Sequence, residues 1–178
     1  MKAGIRLVAT VMALTFGTTP AAAQAACLTA PEAESITLVA MPDLLRQTGL
    51  VCASRLPSTS LLRGTDGPFL VKYDAAADSA WPAARAAIVK LSLPEVEALL
   101  ESSYARPLLT SLLVPLLVGR INPADCGTLD RLISQLSPLP ARNLAGAVVT
   151  ALQYANAEKA KGKAIKVPAL PLCREPTP

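Results

Sequence analysis

The chain contains no histidine, and that absence removes more chemistry than any other feature of it. Imidazole is the commonest general base and the commonest metal-binding side chain near neutral pH. A Ser-His-Asp triad, a Cys-His dyad and a His-Glu-x-x-His zinc site are therefore excluded within one chain. Neither Gly-x-Ser-x-Gly nor Ser-x-x-Lys occurs, so two other ways of activating a serine are missing. Gly-rich phosphate loops and Cys-x-x-Cys are missing too, which argues against nucleotide and thiol-redox chemistry. Aromatic residues make up only 3% of the chain. The surface thus has little with which to stack on bases, and no nucleic-acid partner is expected.

Charge of one sign is also scarce. The formal net charge is +4, and part of it sits in the first residues. Lys2 and Arg6 precede an apolar run over residues 7–16, LVATVMALTF, followed by Gly17, Pro20 and the small-residue stretch AAAQAAC. This is the layout of a secretory signal peptide, with Ala23-Gln24-Ala25 as the cleavage pattern. The reading is a signal peptide over residues 1–25 and a mature start at Ala26, with cleavage after Ala23 as the near alternative. The run falls short of the roughly 20 apolar residues that a membrane helix needs. A lipidated Cys27 would want an aliphatic residue where Gln24 stands. Without the leader, 15 basic residues face 13 acidic ones. The expected destination is the periplasm or the exterior, with residues 26–178 forming a single helical domain whose Pro-rich tail begins near 164. No transmembrane span is expected in the mature chain.

What the sequence does hold begins with four cysteines, Cys27, Cys52, Cys126 and Cys173. In an exported chain an even number points to disulfides. Of three connectivities, Cys27–Cys52 with Cys126–Cys173 is favoured. The first closes a local loop and the second pins the tail to the body.

Helical signals dominate, and no run alternates as a strand would. Thr29 and Glu32 form a capping box, and apolar residues continue to Cys52. Were Cys27 and Cys52 joined, the chain would have to fold back between them, with Pro42 marking the corner. A second helix begins at Pro68. Its apolar face is Phe69, Tyr73, Ala76, Ala77, Trp81, Ala84, Ile88 and Leu91, and Pro82 kinks it. Ser92 and Glu95 repeat the capping signal for a helix running to about Tyr104. Asn122, Pro123 and Asp125 open the next, with Leu129, Leu132, Ile133 and Leu136. A last helix uses Leu144, Val148, Val149, Leu152 and Tyr154 and ends in the basic run EKAKGKAIK. The fold class is all-α, a compact bundle of about five to seven helices with Pro kinks, stapled by two disulfides. Its layout resembles that of small helical exported proteins of Gram-negative bacteria, though no motif points to one family. Segments 28–36 and 91–99, 42–45 and 107–110, and 50–57 and 117–123 look alike; a duplication would make two related helical hairpins.

Residues 106–120, RPLLTSLLVPLLVGR, form the most apolar stretch of the mature chain. As a helix its interior is about 20 Å long, too short to span a bilayer. A central core helix is the expectation, burying Leu108, Leu109, Leu112, Leu113, Leu116 and Leu117. The functional variant of that reading is an apolar pocket lined by Leu109, Leu112, Leu113, Leu116 and Trp81.

Candidate chemistry is thin. Glu97 with Glu101, and Asp74 with Asp78, are helix-spaced carboxylate pairs that could divide acid and base roles, yet a solvated face explains them as well. Lys159, Lys161, Lys163 and Lys166 could touch an anionic surface, or favour a helix C-terminus. No catalytic residue, metal site or cofactor is assigned. The expected function is a non-catalytic binding or interaction module, with an envelope protein or apolar ligand as partner. The alternatives are a carrier of an apolar ligand or lipid using the 108–117 helix and, in another class, a carboxylate-based hydrolase.

Overall fold

The computed structural model describes residues 27–64, 66–92, 94–165, 167 and 170–173, with the side chains of 94–96 excepted. The signal-peptide segment 1–25 lies outside the described residues. Six helices follow in order: α1 (Ala30–Cys52), α2 (Pro68–Leu91), α3 (Pro94–Leu100), α4 (Ala105–Val118), α5 (Cys126–Leu136) and α6 (Ala141–Ala160). Short 3-10 turns at Leu61–Arg63 and Pro123–Asp125 precede α2 and α5. Among the described residues there is no strand, so the chain is all-α, as expected.

The first helix opens where the capping signal places it. The Thr29 backbone N–H and hydroxyl both donate to Glu32 Oε2, at 2.8 and 2.9 Å. From there α1 runs unbroken through Pro42, which is buried. The expected corner does not form. Its premise was a Cys27–Cys52 bridge, and the cysteines pair otherwise: Cys27 with Cys173 and Cys52 with Cys126. Both favoured links, Cys27–Cys52 and Cys126–Cys173, are thereby corrected. Freed from the local loop, α1 extends for 23 residues, about 34 Å. That separates Cys27 from Cys52 far beyond disulfide reach.

Helix α1 is the centre of the molecule and packs on α2, α4 and α6. Leu38, Val39, Ala40, Met41 and Pro42 are all buried. Five successive positions cover every side of a helix, so this segment is enclosed all round. The main core joins Leu38, Val39, Met41 and Leu45 to Leu70, Tyr73, Ala80 and Ala84 of α2 and Leu144 and Ala145 of α6. On α2 the buried face is Leu70, Tyr73, Ala77, Ala80, Ala84 and Ala87; Phe69, Ala76, Trp81, Ile88 and Leu91 flank it half-buried. Alanines there let α2 approach α1 closely.

The two segments suggested as a duplication fold differently. Residues 30–52 are one helix, whereas α3 ends at Leu100 and α4 begins at Ala105. Ser92 closes α2, its hydroxyl donating to the Ile88 carbonyl at 2.7 Å. Asn122 caps the second 3-10 turn, its side-chain oxygen accepting from Ala124 N–H at 3.0 Å. The Pro-rich tail is pinned, but to the start of the described chain. Leu28 N–H donates to Pro171 O and Cys173 N–H to Leu28 O, at 2.7 and 2.8 Å, beside the Cys27–Cys173 bridge.

Candidate functional site

Helix α4 was expected to be the core helix, and it is not. It turns Ala105, Thr110, Val114 and Val118 inward, a narrow stripe of small side chains against α1. Leu108, Leu112 and Leu116 stand 42%, 62% and 64% exposed. The reason is rotational. At 100° per residue Leu112 and Leu116 lie about 200° from Thr110 and Val114, on the outer side of the helix. Leu109 and Leu113 fall between the faces and are half-buried, while Leu117 is exposed. The central place went to α1, whose mixed sequence hides a wholly buried middle.

The expected apolar pocket is corrected for the same reason. A cleft of about 870 Å³ does lie between α1, α2 and α4, and Trp81 lines it. Leu109, Leu112, Leu113 and Leu116 do not; the α4 side of the cleft is Arg106, Pro107, Thr110, Ser111, Val114 and Pro115. Its α1 side is Asp43, Arg46 and Gln47, and Ser102 and Ser103, which also line it, lie between α3 and α4. Ser102 Oγ is buried without a hydrogen-bond partner among the described residues.

The helix-spaced acids are split between arginines. Asp74 takes two hydrogen bonds from Arg46 Nη2, at 2.9 and 2.7 Å, and Asp78 pairs with Arg106. These contacts tie α2 to α1 and to α4. Glu97 and Glu101 are exposed. Two other carboxylates have displaced titration, and both move down. Lys90, followed by the Thr29 N–H, holds Glu32 below its ordinary range. Lys161, followed by Lys163, does the same for Glu158. A general acid requires a shift in the opposite direction. No cluster of three or more metal-ligating side chains occurs among the described residues.

The basic run at the end of α6 is divided by the fold. Glu158 is buried, and Lys161 and Lys163 both bind its carboxylate. Lys159 instead lines a second cleft of about 700 Å³ with Arg120, from beyond the end of α4, and Ile165 and Val167. Arg120 and Lys159 are 39 positions apart in sequence, so no local pattern could pair them. Among the described residues neither makes an ion pair with a carboxylate.

No protein-family model matches the chain, and no curated protein or solved structure is significantly similar to it.

Proposed function

We propose that this protein is an exported, non-catalytic interaction module. The observation that carries this reading is the row Leu108, Leu112 and Leu116 on the outer face of α4, exposed at 42%, 62% and 64%. Contiguous exposed apolar surface on a small protein marks an interaction site. Two disulfides fit an oxidising compartment, as expected after export. Asp43, Asp74, Asp78, Glu32 and Glu158 are paired with cations, and the two with displaced titration favour the charged form, which supports binding over acid–base chemistry.

A second reading rests on the α1–α2–α4 cleft. Trp81, two arginines and the Ser102 hydroxyl, which has no partner among the described residues, suit a small amphiphilic ligand, making the protein a carrier. Native mass spectrometry on protein recovered from the exporting cell tests both readings. An intact mass beginning at Ala26 and lacking four hydrogens is expected. A chain that retains residues 1–25 with four free thiols overturns export. A bound species lost from Leu112→Ser/Leu116→Ser supports the module; one lost instead from Trp81→Ala supports the carrier.

A further inference from the structure

The geometry points to an anionic phospholipid surface as the partner of the α4 face, an inference that rests on the interaction-module reading. Three observations converge. First, the leucine row is headed by Tyr104, 77% exposed one turn before Leu108, and a row of aliphatic side chains ending in a tyrosine suits the boundary between acyl chains and headgroups. Second, residues 102–124 contain no acidic side chain. Arg106 at the near end of α4 is occupied by Asp78. At the far end Arg120 and Lys159 share the second cleft, and neither has a carboxylate partner among the described residues. The neighbouring acid, Glu158, is buried and bound by two other lysines. Third, α4 and the following 123–136 segment together are apolar enough for a membrane by length and composition, but the pair is bent by 89°.

A second copy of the chain fits less well, because a leucine row laid on its twin brings the same acid-free stretch to Arg120 and Lys159. Glu97 on α3 and Glu101 just after it are exposed, which confines the lipid-facing area to α4 and the Arg120 end. In the bound state Leu108, Leu112 and Leu116 enter the acyl boundary while Arg120 and Lys159 take headgroup phosphates.

Cosedimentation of the oxidised protein with vesicles tests this. Phosphatidylcholine vesicles containing phosphatidylglycerol should bind it, and phosphatidylcholine alone should bind far less. Binding should fall as salt rises. A basic residue near an anionic surface contributes roughly fivefold in partitioning, so Arg120→Gln/Lys159→Gln should lose about 25-fold. Leu112→Ser/Leu116→Ser should abolish binding, with its thermal melt unchanged because both positions are exposed. Equal binding to both vesicle types, or indifference to either double variant, overturns the proposal. If vesicles fail to bind but sedimentation velocity shows a dimer that the leucine variant dissociates, the lipid inference falls and the module reading stands. A monomer that binds no vesicle overturns the lipid inference and removes the leucine row as the module's surface.

Discussion

Gly49 sits inside α1, where alanine would ordinarily stabilise a helix by about 1 kcal/mol. Here the sign reverses. A Cβ on Gly49 would stand 1.9 Å from the Leu62 carbonyl oxygen, so the 3-10 turn rests on this helix only because the side chain is missing. Gly49→Ala should therefore cost about 2–3 kcal/mol by overpacking, measured by urea denaturation. Glu32 supplies a second residue-scale test. Its folded pKa is depressed, first by Lys90 and then by the Thr29 N–H. The stability it confers is present above its ordinary value and lost as pH falls through the folded one. Glu32→Gln should consequently lower the melting temperature near neutrality and flatten its decline below about pH 4.5. The Thr29–Glu32 cap was legible because a capping box is a four-residue affair. The Gly49 contact was not, since nothing local reveals which carbonyl arrives.

Helix α4 is the element on which sequence pattern and structure part most clearly. A run of leucines on nearly all sides reads as buried, but burial belongs to whichever face meets a neighbour. The inward stripe is Ala105, Thr110, Val114 and Val118. Val114→Ala should cost about 2 kcal/mol, while Leu112→Ala should change stability by less than about 0.5 kcal/mol. Calorimetry on the two variants separates these outcomes, and the reverse order would restore the core-helix reading. The existence of the helices was readable from their caps, prolines and spacing. The rotation of α4 was not, because its outer leucines and inner small residues satisfy the same apolar pattern.

At the scale of the whole molecule the disulfides join distant parts. Their sequence separations are 146 and 74 residues, which the chain-entropy model values at about 5 and 4.5 kcal/mol; the local pairing would have contributed roughly 3.5 and 4. Cys52→Ala/Cys126→Ala should thus lose about 4 kcal/mol, read from chemical denaturation. Peptide mapping of the unreduced protein should yield the Cys27–Cys173 and Cys52–Cys126 pairs and no local ones. Pairing lay beyond sequence reasoning because four cysteines permit three connectivities, and the one favoured on loop length required a bend in α1 that Pro42 does not impose.

By itself the sequence determined the all-α class, the points where most helices begin, and the absence of histidine-based chemistry. Each follows from local propensity or from composition, quantities that need no partner. Only the tertiary structure decided that α1 rather than α4 holds the centre, and that the cysteines link end to end. It likewise placed Arg120 and Lys159 on one cleft while giving Lys161 and Lys163 to a buried glutamate. Those outcomes depend on which surfaces meet across long loops, and packing selects among faces that a one-dimensional pattern leaves equivalent.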